Sequence, residues 1–419
     1  MSAQQAAGLP LAATCVALTA KPLTLRLQQV LQTAAGNFHQ REVLLLRVTL
    51  DIAGQLQHGY GEASALPGWS RDCHADNLAL QQQLQLALAR EAMPVVLRQR
   101  QQYADSGRGI PAWHLGGLDE RFPLLQQQPV LRFGVELAIL DALARYQRLS
   151  LARYLALLIA RLPHAAVVEP GTAVAVQCTL GAADTAQCRQ QLANASAQGY
   201  THAKLKVGVA AVSDDVQRIR RLLADFPDMT LRLDANAAWD TPQTLDVCRA
   251  LAGTAVELIE QPVADAGFAT LLRDYDHCGP MLAADESSVP AGRAADWMQS
   301  GRLQALVLKP SVHGGLLPAL ALLQLAARHR VKVVLSNLLE AAVARSAIAQ
   351  LAAACPQHGG PHGLATGDWF AEDVVTSRDR IDKASLQLRP GAGIGLDIGP
   401  DIGPDKGMSP DSAVWPVRN

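Results

Sequence analysis

Five short segments of this 419-residue chain carry ionisable residues at near-regular intervals: Lys204 and Lys206, Asp234 with Asn236, Glu260, Asp285 with Glu286, and Lys309. From Lys206 the steps to Asp234, Glu260, Asp285 and Lys309 are 28, 26, 25 and 24 residues. Each charge follows a short apolar run, and each step is about the length of one strand plus one helix. A βα repeat brings the ends of successive parallel strands to one rim. Charges far apart in sequence then converge on one site: three carboxylates flanked by lysines.

Asp234, Glu260 and Asp285 form an all-oxygen donor set, which suits a hard divalent cation, Mg2+ first and Mn2+ as the alternative. No His or Cys belongs to the set, so zinc is not expected. One such acid alone is an ordinary helix cap; three in series need a counter-charge. Asn236, two residues past Asp234, is expected on the same side, where it can orient a ligand or its water. Glu286 is expected to point away from Asp285, behind the ligands or toward the lysines.

The lysines are selective. The chain has 7 lysines against 30 arginines, and Lys204, Lys206 and Lys309 are three of them. Arg stays protonated in a protein, whereas Lys becomes a base once its pKa falls. Two ammonium groups on one strand face depress each other, and burial adds to the shift. One of Lys204 and Lys206 can then take a proton, with Lys309 facing them across the mouth. A substrate carboxylate held on the metal would lie between, and the metal would stabilise the enolate left when an α-proton departs.

The elements that must position these groups are legible in outline. Residues 23–66 read as antiparallel β structure, with 33–40 as a mobile loop between strands. Residues 76–100 and 129–157 have helical spacing. From about residue 172 strands and helices alternate, with candidate strands at 174–179, 203–207, 230–234, 256–260, 281–285, 305–309, 331–336 and, weakly, 363–366. The fold class expected is α/β: a (β/α)8-type barrel at 171–375 with an N-terminal α+β capping domain at 1–170. Residues 376–419 are expected to complete the cap in part. A doubly wound sheet is the runner-up, but no G-x-G-x-x-G follows the first strand.

Composition excludes several classes. About half the residues (49%) are hydrophobic, so a large core is available. Net charge is −1 and no basic tract stands out, which argues against nucleic acid as a partner. The seven cysteines are scattered without C-x-x-C, so neither a zinc site nor a disulfide framework is indicated; reduced cysteines suit a cytoplasmic protein. No apolar run of membrane-spanning length and no charged leader region is read, so neither a membrane span nor a cleaved signal is expected. Composition does not speak to oligomeric state.

At the ladder residues the chain resembles the enolase superfamily, in its muconate-lactonising subgroup. That subgroup carries K-x-K on the second barrel strand, Asp, Glu and Asp on the third to fifth, and Lys on the sixth. GYGEASALPGWS at 59–70 is similar to its capping-domain segment G-W-G-E-x-x-P-L-P-G-F-S. HAKLKVG at 202–208, LRLDANAAW at 231–239, VLKPSVHGG at 307–315 and HGLATGDWFAED at 362–373 look most like the o-succinylbenzoate synthase family. The resemblance covers most of the chain. It implies a Mg2+-assisted loss of water from 2-succinyl-6-hydroxy-2,4-cyclohexadiene-1-carboxylate, a menaquinone-pathway step and a hydro-lyase reaction on a small carboxylate.

By residue, the resemblance makes Lys206 the base and then the acid that helps hydroxide leave. Lys204 would tune it, and Lys309 would stay cationic against the enolate. Arg232 would lie near the substrate or the acids, and Gly314 and Gly315 would let backbone approach the succinyl tail. After the seventh strand a serine-rich stretch is replaced by SNLLEA at 336–341, which keeps Glu340. How the succinyl carboxylate is held is thereby left open. His313 and His362 read as polar loop residues.

Three rivals share these motifs. An N-acylamino acid racemase or a dipeptide epimerase uses the same lysines, one on each face of the α-carbon. Dipeptide epimerases typically add D-x-D after the eighth strand, where this chain has Gly367, Asp368 and Trp369. Muconate cycloisomerase has no feature in its favour. A non-catalytic binder would be expected to have lost a lysine or an acid, and none is lost.

Overall fold

The computed structural model describes residues 9, 11–33, 36–102, 109–163, 168–180, 184–289, 291–377 and 379–398. The N-terminal part begins with a long hairpin, β1 (Ala12–Thr33) and β2 (Gly36–Ile52), followed by β3 (Gln55–Ala63), helix α1 (His74–Arg90), β4 (Met93–Gln102) and β5 (Ile110–Gly116). These strands form an antiparallel sheet in the order β3-β2-β1-β4-β5. Helix α2 (Pro129–Tyr146) packs on it, and α3 (Leu151–Ile159) follows, its Leu158 carbonyl accepting from the Trp113 indole of β5 (2.8 Å).

Three expectations change here. Residues 36–40 belong to β2 rather than to a loop; of the expected loop, residues 34 and 35 lie outside the described residues. The helix expected over 76–100 stops at Arg90, and Met93–Gln102 is a strand. The helical stretch 129–157 is two helices, broken before Ser150, whose hydroxyl accepts from the Arg153 amide to start α3.

The capping sheet sits directly on α2 because two glycines allow it. A Cβ on Gly61 would meet the Gly134 carbonyl oxygen at 1.9 Å, and one on Gly59 the Ala138 carbonyl oxygen at 2.1 Å. Backbone therefore packs on backbone, and any side chain there would separate the layers.

After β6 (Ala173–Ala175) the chain enters a parallel sheet. Its strands are β7 (Cys178–Leu180), β8 (His202–Lys206), β9 (Thr230–Asp234), β10 (Val256–Glu260), β11 (Met281–Ala284), β12 (Ala305–Leu308) and β13 (Lys332–Leu335). Between them run α4 (Thr185–Ala197), α5 (Val212–Asp225), α6 (Thr241–Ala250), α7 (Asp265–Asp274), α8 (Ala291–Gln299) and α9 (Leu316–His329), and α10 (Ala342–Ala354) follows β13. Neighbours in sequence are neighbours in the sheet. The eighth position is reduced to two bridges: Gly363 pairs with Ser336 on one side and His362 with Val176 on the other, closing the barrel. The strand expected at 363–366 is therefore two bridging residues, 362 and 363.

Alternation along the strands sets up the site. Leu258, Ala283, Ala305, Val307 and Val334 form a separate apolar cluster inside the barrel. Side chains on a strand repeat every second residue, so Glu260, Asp285 and Lys309 lie one step further toward the rim. Leu205, Leu233, Ile259, Leu306 and Leu335 point the other way, into the core under the helices.

The C-terminal segment returns to both parts. β14 (Ile381–Asp382) and β15 (Ser385–Gln387) extend β6 antiparallel. Beyond them the Ile394 amide donates to Asp141 of α2 (2.7 Å) and Arg145 reaches the Leu396 carbonyl (2.9 Å). The sequence repeats Ile-Gly-Pro-Asp at 398–401 and 402–405, and apart from Ile398 this repeat lies outside the described residues.

Candidate active site

The ladder residues converge. Lys204 Nζ lies 2.7 Å from Asp234 Oδ2 and 2.8 Å from Glu260 Oε1. Lys309 Nζ lies 2.7 Å from Asp285 Oδ2. Register places Lys206 beside Asp234 and Glu260 beside the same residue from the other flank. The Asn236 amide donates to Asp234 Oδ1 (3.1 Å) and its side chain bonds the same oxygen, fixing the carboxylate from the rim side.

Electrostatics show a cluster that the protein's own cations do not fully neutralise. Burial raises Glu260 to about 8 against the relief from Lys204, and Asp234 and Asp285 add repulsion. Burial raises Asp285 too, partly offset by Lys309 and reinforced by Glu286. Asp234 falls below its usual range because Lys204, bonded to it, outweighs burial. Burial alone would depress Lys204, yet the fields of Asp234, Glu260 and Asp285 reverse the sign and raise it. The mutual depression expected of the two lysines is thus overridden at Lys204 by its acid neighbours.

The donor set fits a hard cation: three carboxylates, oxygen only, on adjacent strand ends. Among the described residues no group of His, Cys, Asp or Glu stands in ligand geometry as it is. Lys204 bridges two of the acids and Lys309 holds the third.

The remaining sequence-derived residues fall into two groups. Glu286 opens a short 3-10 turn, since β11 ends at Ala284, so strand alternation does not apply to it. Burial raises its pKa, and Lys309, Asp234 and Glu260 all act on it, which places it in the cluster's field. Arg232 lies on the inward face, one alternation deeper than Asp234, and is 1% exposed. It donates to Glu257 Oε2 (2.6 Å), to Gln177 Oε1 (2.6 Å) and to the Pro361 carbonyl, closing the floor of the barrel rather than lining the mouth.

Gly314 and Gly315 meet the cap. The Gly314 carbonyl accepts from Arg132, and a Cβ on Gly315 (φ 152°) would meet Glu136 Oε1 at 2.4 Å. Glu136 Oε1 also accepts from the Leu317 amide (2.8 Å), capping α9, which has no side-chain cap of its own. Glu340 is buried; it accepts from Ser311 Oγ (2.6 Å) and from the Leu338 amide, tying together the loops after β12 and β13. His313 is buried, bonded to the Lys309 carbonyl (2.9 Å) and Ser288 Oγ (3.3 Å). His362 is buried in the closing bridge, and burial holds its pKa down at about 3.

Two residues at the site carried no signal in the spacing. Gln261, buried beside Glu260, accepts from the Asp285 (3.1 Å) and Ser287 (3.2 Å) amides, locking two acid-bearing strand ends together. Trp69 of the cap places its ring centroid 3.4 Å from Lys309 Nζ. The capping loop thus reaches the barrel's sixth-strand lysine. No helix among the described residues is long and apolar enough to cross a membrane.

Comparison with known proteins identifies the family and the fold. Residues 187–402 match the family model described as enolase C-terminal domain-like. An o-succinylbenzoate synthase of Listeria innocua is 25% identical, over 81% of this chain and 82% of that protein. One of Mycobacterium ulcerans is 34% identical over 50% of this chain and 63% of its own length. Among solved structures, the muconate lactonizing enzyme of Pseudomonas fluorescens in complex with muconolactone superposes with a TM-score of 0.74 at 19% identity, covering 93% of this chain and 98% of that one. With its antiparallel capping sheet, parallel barrel and rim of acids and lysines, the chain belongs to the enolase superfamily and has the muconate-lactonising-type fold.

Proposed function

We propose that this enzyme is an o-succinylbenzoate synthase, dehydrating 2-succinyl-6-hydroxy-2,4-cyclohexadiene-1-carboxylate to 2-succinylbenzoate. The observation that carries the reading is the unequal treatment of the lysines. Lys204 and Lys309 are held by carboxylates, whereas the Lys206 ammonium group has no hydrogen-bond or ion-pair partner among the described residues; Lys206 bonds only through its backbone, its carbonyl accepting from Arg218. One proton-transferring lysine and one fixed cation suit an elimination. A two-base exchange needs both to move protons. The synthases among the relatives support the same choice.

Asp234, Glu260 and Asp285 would hold Mg2+, which when bound supplies positive charge against the substrate carboxylate and the developing enolate. The rest is done by this chain's own groups. Lys206 Nζ takes the proton α to the carboxylate. The C6–O bond then breaks, and the proton on Lys206 leaves with the hydroxide as water, restoring the free amine. Lys204 fixes Asp234 and Glu260 and keeps a positive charge beside Lys206. Lys309, anchored on Asp285, faces the enolate as a cation. Aromatisation of the ring by loss of water is complete without any redox partner.

A side-by-side assay of dehydration and of N-succinylamino acid racemisation by the purified protein with Mg2+ tests this. Dehydration is expected to have the higher kcat/KM. Racemisation alone would replace the reading with the two-base one.

A further inference from the structure

We propose that Trp69 is a positioning residue for Lys309: the indole face and the Asp285 carboxylate hold the ammonium from two sides, so that the cap supplies part of the barrel's reactive geometry. The proposal rests on the reading of Lys309 as a fixed cation of the reaction.

The geometry is close. Lys309 Nζ lies 3.4 Å from the Trp69 ring centroid and 2.7 Å from Asp285 Oδ2. Cation–π attraction operates within about 6 Å of the centroid and strengthens when the cation is desolvated. Lys309 is 5% exposed. A lysine has a flexible four-carbon stem and is fixed poorly by one contact. Two opposed contacts define where its charge sits.

Trp69 is itself held in place. Its amide donates to the Leu66 carbonyl (3.0 Å), and Ser70 Oγ accepts from the Leu66 amide (2.9 Å) and donates to the Asp72 carbonyl (2.8 Å). The Asp72 carboxylate accepts from the Val130 (3.1 Å) and Leu131 (3.2 Å) amides at the start of α2. At the other end, Arg41 donates to the Ala65 (2.9 Å) and Ser64 (2.9 Å) carbonyls and to Leu339 in the loop after β13 (3.1 Å). The turn bearing Trp69 is therefore tied to the cap helix and to the barrel rim, and the ring is presented to Lys309 by a fixed frame.

Because the ring acts on the placement of a charge, it should affect turnover more than substrate affinity. It should also depend on the π face and not on volume alone. The test compares Trp69→Phe and Trp69→Leu in the full-length Mg2+ enzyme, with a thermal-unfolding cycle of Trp69→Leu, Lys309→Met and the double variant without substrate. Expected are a roughly tenfold fall in kcat for Trp69→Leu with KM within about twofold, recovery of most of it in Trp69→Phe, and Tm losses in the single variants that do not add in the double variant. Equal losses in the Phe and Leu variants, a loss confined to KM, or additive Tm shifts would overturn the proposal. If Trp69→Leu does not fold, the cycle is run with Trp69→Phe; a smaller coupling is expected there, and none at all would overturn it. Should the wild-type protein not dehydrate, the functional reading fails, while the unfolding cycle still decides the Trp69–Lys309 pairing.

Discussion

Lys204 and Lys206 stand two residues apart on one face of β8, yet only the Lys204 side chain is held: its Nζ bridges Asp234 and Glu260, while the Lys206 ammonium group has no partner among the described residues. Alternation gives the two side chains one direction, and the register gives them different neighbours. Lys204 lies a step deeper and reaches two acids at once, which fixes it and raises its pKa. Under the proposed function, the side chain left unpaired to carry the proton is that of Lys206.

The acids lead to the first prediction. Glu260 and Asp285 are buried with raised pKa values beside the half-buried Asp234, so titration calorimetry should detect one Mg2+ per chain. Chelation should abolish turnover, and added Mg2+ should restore it. Asp285→Asn should keep the circular dichroism of the wild type while losing Mg2+ affinity and activity. Full turnover in excess chelator would remove the metal from the account.

A second prediction concerns the junction of cap and barrel. Glu62 accepts from the Ala341 (2.7 Å) and Ala344 (2.9 Å) amides, so a cap residue supplies the N-terminal cap that α10 lacks. Glu62→Ala leaves both buried amides without acceptors and should cost at least about 2 kcal/mol of stability. Denaturant unfolding measures it, and a change under about 0.5 kcal/mol, the scale of a neutral surface substitution, would contradict the capping role.

The same carboxyl sets a pH dependence. Burial pushes Glu62 from its ordinary 4.5 up to about 7, and Glu136 likewise despite Arg132. The folded protein then holds these protons more tightly than the unfolded chain. The stability this gives is fully present below about pH 4.5 and is lost as pH rises through about 7. Melting temperature should fall over that window, and Glu62→Gln should make the fall shallower. An unchanged slope in Glu62→Gln would assign the dependence to other groups.

Packing of the cap gives a fourth prediction. Gly61→Ala places a methyl 1.9 Å from the Gly134 carbonyl oxygen, so β3 must lift off α2. Soluble yield should drop sharply, and any folded protein should melt well below the wild type. Wild-type stability in this variant would mean that the two layers are not in backbone contact.

The barrel was legible because its signal is local. From β9 to β12 each strand is a short, mostly apolar run with a charge at its last residue or the next one, and the alternation that buries Leu258 and Val307 also aims Glu260 and Lys309 at the rim. The eighth strand was read as a longer element because its bridging residues, His362 and Gly363, sit in a run with no alternation to bound it. β4 was hidden because its second half, from Arg98 to Gln102, is polar and mostly exposed. Arg232 was drawn toward the acids by its position beside Asp234, and only the register shows it a level lower, bound to Glu257. Trp69 lies 240 positions before Lys309, and no spacing rule links a cap loop to a strand end. Gln261 was missed because its work is done by hydrogen bonds to backbone amides of the next strand, which leave no pattern in sequence.

The division of labour between Lys206 and Lys309 is tested most directly by the dehydration rate of two charge-preserving variants, Lys206→Arg and Lys309→Arg, with Mg2+ binding checked in both. Arg keeps the positive charge and removes the base. Lys206→Arg should lose at least the ~10²–10⁴-fold that a general base supplies, while Lys309→Arg should retain measurable turnover. Equal and complete loss in both variants, with metal still bound, would contradict the single-base account and point to exchange at both lysines.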